Sequence, residues 1–88
     1  LTVVLDNSGW AAVKESTLRM YPKGHAFKAN EYASLLPRQM DFAAMAQAAG
    51  VHGESLSDPR DVGAAIARSM AALDEGRSAL IHARIAPL

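Results

Sequence analysis

The apolar and polar positions of this chain predict short strands separated by helical stretches. Residues 1–6 form an apolar run that predicts a β-strand. Residues 51–56 predict a short, weaker strand, and residues 78–85 predict a last strand with Leu80 and Ile81 at its centre. The first run is rich in Val and Leu and does not show the alternation of polar and apolar residues of a half-exposed strand. That pattern is typical of a strand buried on both faces, so we expect the first strand to be fully buried.

Between the first two strands, the pattern predicts one helix and a long loop. Asn7 or Ser8 can cap the helix, and the segment 22–24, which contains Pro and Gly, stops it. The loop spans residues 23–39, and we expect one short helical turn in it at 30–35. The apolar positions of the helix are Trp10, Val13, Thr17 and Met20.

Two further helices flank the second strand. Asp41 caps the first of them, and Asp58 followed by Pro59 starts the other. Gly50 and Gly76 end these helices in the left-handed conformation. Their apolar faces consist of Phe42, Met45, Ala46 and Ala49 in one helix and Val62, Ile66, Ser69, Met70 and Leu73 in the other.

This order of elements predicts an α/β fold, with a parallel sheet and right-handed crossovers. Three strands and three helices are few for such a sheet, which normally needs more strands and helices on both faces. We therefore expect the 88 residues to form about half of a doubly wound domain. The rest of its core would come from upstream sequence or from a partner chain.

Composition excludes several classes of function. Nine basic and nine acidic residues are interspersed and give a formal charge of zero, which argues against a nucleic-acid or membrane-surface partner. The apolar runs are too short to cross a bilayer. Cysteine is absent, which excludes disulfides and thiolate metal sites and fits a cytoplasmic protein.

The junction after the first strand carries the candidate chemistry. Asp6 offers a carboxylate, Asn7 a neutral amide oxygen and Gly9 an unobstructed backbone carbonyl, and such oxygen ligands suit Mg²⁺. The helix that follows directs free N–H groups to the same place, which favours a phosphate. The residues alone are also consistent with ordinary turn and cap chemistry, which is the commoner explanation.

A family resemblance favours the cofactor interpretation. The segment Val4–Lys14, VLDNSGWAAVK, resembles the closing half of the thiamine-diphosphate motif, which starts with Gly-Asp-Gly and ends in Asn-Asn after the next strand. Essentially the whole chain is similar to the C-terminal end of the acetolactate synthase and benzoylformate decarboxylase group. The similarity continues through Tyr21–Gly24, Asp41–Ala43, Ala46–Gly50, Asp58–Pro59 and Ala79–Ile81.

The resemblance implies the residues of a cofactor site. Asn7 would give its side-chain oxygen to Mg²⁺ and Gly9 its backbone carbonyl, and the metal would hold the diphosphate of the cofactor. The start of the helix would lie along the diphosphate and the bound substrate, and the residues concerned are Trp10, Ala11, Ala12 and Val13. Val13 and Ser16 would face the reacting centre. Asp6 replaces the first Asn of the commoner pair, and we interpret it as a group that supports the ligands from behind.

The resemblance also implies what this chain lacks. The Gly-Asp-Gly aspartate should lie upstream of residue 1, as should the glutamate that activates the cofactor, which comes from a neighbouring subunit in this family. We therefore expect residues 1–88 to be the C-terminal part of a three-layer thiamine-diphosphate-binding domain that is inactive alone. The expected partners are a 2-oxo acid substrate, the upstream part of the chain, and further copies in a dimer or tetramer.

Three functions follow from these expectations. The first is part of a decarboxylase or acetolactate-synthase-like carboligase that depends on thiamine diphosphate and Mg²⁺. The second is a non-catalytic interaction or regulatory module of the same descent. The third is an unrelated flavodoxin-like α/β domain.

Overall fold

The structure, a computed structural model, describes residues 1–36 and 40–86. They fall into two compact units, residues 1–6 with 40–85, and residues 7–36 with 86. The last three positions of the predicted loop 23–39, and residues 87–88 of the predicted domain, lie outside the described residues. The elements are β1 (Thr2–Asp6), α1 (Ala11–Met20), α2 (His25–Ala29), α3 (Phe42–Ala48), β2 (His52–Leu56), a 3₁₀ turn (Pro59–Asp61), α4 (Val62–Asp74) and β3 (Ala79–Arg84).

The first unit contains a three-stranded parallel sheet in the order β1-β3-β2. β3 is central, with Thr2 opposite Leu80 and His52 opposite Ala79. α3 precedes β2 and α4 precedes β3, and both helices pack against these two strands. The predicted α/β fold with parallel strands is confirmed. The structure adds one helix to the three predicted, because α2 forms at 25–29 instead of a turn at 30–35.

Local chemistry explains where the helices of this unit begin and end. The Asp41 carboxylate accepts a hydrogen bond from the Ala44 N–H at 2.9 Å, which confirms it as the cap of α3. The Asp58 carboxylate likewise accepts a hydrogen bond from the Arg60 N–H, at the start of the 3₁₀ turn that leads into α4. Gly50 and Gly76 have φ of 76° and 80°, so both end their helices in the left-handed region as predicted.

The core of the sheet unit is built largely from small residues. Ala65 packs with Ile81 and Ala83, and Leu56 lies against this cluster. On the other face α3 comes very close to β2. A Cβ added at position 53, where the chain has glycine, would overlap the Ala43 carbonyl oxygen. The tight contacts therefore come from alanine and glycine rather than from the large apolar side chains.

The predicted burial of β1 is wrong, and the predicted apolar faces of α3 and α4 are fully buried only at Ala46 and Ser69. β1 is an edge strand, so Val3 and Leu5 are 50% and 67% exposed instead of buried. In α4 the buried residues are Ala65, Ser69 and Ala72, and in α3 they are Ala43 and Ala46. The helices pack through their small side chains and leave larger ones exposed, namely Met45, Val62, Ile66 and Met70.

The second unit contains α1 and α2. α1 begins at Ala11 with Trp10 in the cap position, so the prediction that Asn7 or Ser8 caps this helix is wrong. The cause is the backbone of Ser8, whose φ of 59° turns the chain before the helix starts. Asn30 ends α2 in the left-handed conformation at φ 50°. Among the described residues, no helix is long and apolar enough to cross a membrane.

Candidate functional site

The segment Asn7–Gly9 forms a tight turn in the second unit. The Asn7 side-chain oxygen Oδ1 accepts a hydrogen bond from the Gly9 N–H at 3.3 Å, which folds the amide over its own backbone. An amide oxygen has two lone pairs, so Oδ1 keeps a site for a second partner. The turn therefore holds this neutral oxygen in a defined place.

Gly9 lies opposite Leu35 in an isolated antiparallel bridge. The flanking hydrogen bonds run from the Leu36 N–H to the Ser8 carbonyl at 2.9 Å and from the Trp10 N–H to the Ser34 carbonyl at 2.7 Å. In a pair flanked in this way, the N–H and C=O of the central residues point away from the partner strand. The Gly9 carbonyl is thus directed away from residues 34–36.

Only glycine fits at position 9. A Cβ added there would overlap the Ser34 carbonyl oxygen, a backbone atom that cannot rotate away. Ser34 is itself buried, so the overlap could not be relieved by an outward shift of a side chain. The requirement for glycine therefore comes from a close approach of two backbone segments.

The first turn of α1 leaves backbone donors available. The N–H groups of Val13 and Lys14 donate to the Trp10 carbonyl at 3.1 and 3.4 Å, whereas the N–H groups of Ala11 and Ala12 precede the first bond within the helix. The Trp10 side chain makes no capping hydrogen bond. Such a helix start attracts an anion through its N–H groups and its dipole.

Comparison with known families assigns the chain to one of them. The family described as "thiamine pyrophosphate enzyme, C-terminal TPP binding domain" matches residues 1–83. The chain belongs to this family. Neither the curated proteins nor the solved structures gave a match. Thiamine pyrophosphate (TPP) is another name for thiamine diphosphate, so the match supports the predicted cofactor. The resemblance is confirmed at the level of the family.

The residues of this TPP-binding domain fit the diphosphate end of the cofactor in part. An amide oxygen, a backbone carbonyl and a helix start are the kinds of groups that Mg²⁺ and a diphosphate prefer. No carboxylate stands among them. Within residues 1–36 and 40–86, no cluster of three or more His, Cys, Asp or Glu residues could hold a metal ion. The chain could thus provide two neutral ligands, and the negative charge would come from the diphosphate and from other residues.

The predicted site residues lie together in the second unit. Asn7 and Gly9 form the turn, and Trp10, Ala11, Ala12 and Val13 follow it directly into α1. Their roles toward the metal and the cofactor stay predictions. Val13 and Ser16 lie on an exposed face of α1, where they line a shallow surface together with Ala12, Thr17, Met20 and Tyr21.

One polar contact was not found by reasoning from the sequence. The Asp6 carboxylate lies 2.8 Å from the ring nitrogen Nε2 of His82, which is completely buried. The predicted strand 78–85 contains His82, and Asp6 is predicted to support the proposed ligands, but no sequence pattern pairs the two residues. The two residues are 76 positions apart, so only the pairing of β1 with β3 brings them together.

The remaining ionic contacts belong to the sheet unit. Glu54 of β2 accepts a hydrogen bond from the Arg68 side chain at 2.8 Å, and His52 lies 3.9 Å from the same carboxylate. Hydrogen bonds from the Arg60 side chain, and then from its backbone N–H, hold the pKa of the Asp58 carboxyl below its ordinary value. The same contact raises the pKa of the Arg60 guanidinium. The Asp58–Arg60 pair lies at the start of α4, and the Arg68–Glu54 pair joins α4 to β2.

Proposed function

We propose that this TPP-binding domain supplies the Mg²⁺ and diphosphate corner of an enzyme that acts on 2-oxo acids. The turn Asn7–Gly9 carries the proposal, because it combines an amide oxygen with a carbonyl directed away from the neighbouring segment. The helix that follows adds N–H donors suited to phosphate oxygens. Family membership over residues 1–83 supports the same cofactor.

Each residue has a distinct part in this proposal. Asn7 and Gly9 would hold the metal, and Trp10, Ala11, Ala12 and Val13 would lie along the diphosphate. When bound, the cofactor would supply the nucleophile and the electron sink that the chemistry of a 2-oxo acid needs. The exposed side chains of Val13 and Ser16 would border the substrate. The metal carboxylate and the activating glutamate would come from outside the 88 residues, in a dimer or tetramer.

The finer class within the family is also a proposal. The motif VLDNSGWAAVK favours a decarboxylase or an acetolactate-synthase-like carboligase over other TPP enzymes. A product assay separates the two chemistries. A decarboxylase releases CO₂ and an aldehyde from the 2-oxo acid, whereas a carboligase joins the remaining fragment to a second carbonyl compound.

The metal bridge is tested by calorimetry on the protein that carries this domain. Thiamine diphosphate is titrated with Mg²⁺ and again with a chelator, for the unsubstituted protein and for Asn7→Ala. We expect tight binding only with Mg²⁺, and clearly weaker Mg²⁺-dependent binding in Asn7→Ala because one oxygen ligand is lost.

A matched control removes another amide from the same unit. Asn30→Gly suits the left-handed backbone at that position and should leave cofactor binding unchanged. If Mg²⁺-dependent binding is the same in Asn7→Ala as in the unsubstituted protein, the role of Asn7 is refuted. Binding without turnover of any 2-oxo acid would instead favour the non-catalytic module of the same descent.

A further inference from the structure

The end of β1 is attached to the centre of the sheet by a polar pair between partly buried Asp6 and fully buried His82. His82 lies in β3 with no exposed surface, and its Nε2 is 2.8 Å from Oδ2 of Asp6. In the strand register His82 stands opposite Val4, so it reaches diagonally to the last residue of β1. Because carboxylate oxygens accept hydrogen bonds, the Nε2–H of His82 donates in this pair.

The backbone of Asp6 is also hydrogen-bonded to the chain segment that carries His82. The Ile85 N–H donates to the Asp6 carbonyl at 2.9 Å, just beyond the end of β3. The ring of Phe42 packs edge-on against the His82 imidazole, with centroids 5.1 Å apart. A buried imidazole that left Asp6 would lose its hydrogen bond without gaining water, which makes departure costly.

Asn7 follows Asp6 directly in the chain. We propose that His82 is a positioning residue, which holds Asp6 at the end of β1 and so fixes the backbone from which the Asn7–Gly9 turn starts. A turn that starts from a fixed residue loses less conformational freedom when it binds a cation. This inference rests on the proposed function, because it concerns the cation that Asn7 and Gly9 would bind.

The test measures Mg²⁺ affinity in the protein that carries this domain. Mg²⁺ is titrated at a fixed excess of thiamine diphosphate, with calorimetric detection, and thermal unfolding without ligand is recorded separately. His82→Leu fills the space but removes the donor. We expect it to weaken Mg²⁺ binding by about 10-fold, the usual cost of losing a residue that orients a metal ligand.

Conservative variants separate positioning from general packing. His82→Gln places an amide N–H at the same number of bonds from the backbone, and Asp6→Asn keeps an oxygen acceptor, so both should retain Mg²⁺ affinity close to the unsubstituted value. Phe42→Leu disturbs the packing around the ring but spares the hydrogen bond. It should lower the unfolding temperature and leave Mg²⁺ affinity unchanged.

Each outcome decides the inference. If His82→Leu does not fold, Asp6→Ala removes the acceptor at a partly exposed position and should weaken Mg²⁺ binding to the same extent. A loss in Asn7→Ala without a loss in folded His82→Leu or Asp6→Ala overturns the positioning role alone. Absence of Mg²⁺-dependent binding in the unsubstituted protein refutes the proposed function, and this inference with it.

Discussion

The two faces of the three-stranded sheet are covered in different ways. On one face α3 lies so close to β2 that a Cβ on Gly53 would stand 2.9 Å from the Cβ of Ala46, and the same face buries His82. On the other face α4 leaves an open groove of about 290 Å³, lined mostly by apolar side chains. Leu5 and Ile66 border this groove and are 67% and 43% exposed.

Residue size explains the difference between these faces. Alanine and glycine let the α3 backbone approach the strand, and the Gln47 side chain adds a hydrogen bond to the Gly53 carbonyl at 2.6 Å. The face below α4 carries larger apolar residues, yet more of their surface remains in contact with solvent. Apolar residues alone therefore do not exclude solvent from a face of the sheet, since close packing needs complementary shapes.

The largest expected effect contrasts a filled position with an open one. Ile81 is 2% exposed beneath α4, so Ile81→Ala should lower the free energy of unfolding by about 2–5 kcal/mol through lost burial and a residual cavity. Leu5→Ala on the same face removes a side chain already in water and should cost less than about 0.5 kcal/mol. Denaturant unfolding of both variants measures the difference.

The outcome for Leu5 sharpens the comparison. A cost for Leu5→Ala as large as that for Ile81→Ala would mean that the groove is filled in the protein studied. Large exposed apolar patches often mark interaction sites, so the side chains of the groove would then be buried by a contact. A small cost would confirm that the α4 face is open.

The second effect concerns the closed face. Gly53→Val must push a branched side chain against the backbone of α3, and we expect a loss of about 1–3 kcal/mol in the free energy of unfolding. Gly63→Ala is the control, because a Cβ on Gly63 of α4 meets no atom within 4 Å. That substitution should be neutral or stabilise the protein by up to about 1 kcal/mol. Equal losses in the two variants would show that the approach of α3 is not tight.

Local features of the sequence were the ones that could be predicted. Asp41 and Asp58 accept hydrogen bonds from backbone N–H groups nearby, and Gly50 and Gly76 need only their own backbone freedom. These four residues therefore mark helix ends correctly. The family motif around Asn7 was likewise recognisable, since its residues are consecutive in the chain.

Burial and long-range pairing could not be predicted in the same way. The apolar run of β1 has the composition of an interior strand, but its exposure depends on which strands lie beside it. α1 starts at Ala11 and not directly after Ser8, because the Ser8 carbonyl accepts a hydrogen bond from the Leu36 N–H, which is far away in sequence. The Asp6–His82 contact likewise required the strand order. These features depend on tertiary structure, for which local pattern gives no information.

The smallest expected effect tests an ionic contact at the rim of the open face. Asp58 borders the groove, and its carboxyl has a lowered pKa because Arg60 donates hydrogen bonds to it. A lowered pKa stabilises the folded protein above the ordinary pKa of an aspartate, and this stabilisation disappears as the pH falls through the folded value. Arg60→Ala should therefore lower stability slightly near neutral pH, by an amount that salt reduces because the pair is exposed.

Acid unfolding measures this contribution directly. The difference between Arg60→Ala and the unsubstituted protein should shrink as the pH drops below roughly 4, where the free carboxyl becomes protonated. Arg77→Ala is the matched control, since it breaks another exposed pair, with Glu75, away from the groove. A gap between Arg60→Ala and the unsubstituted protein that stays constant from neutral to acidic pH would show that Arg60 acts through packing of its stem rather than through the Asp58 charge.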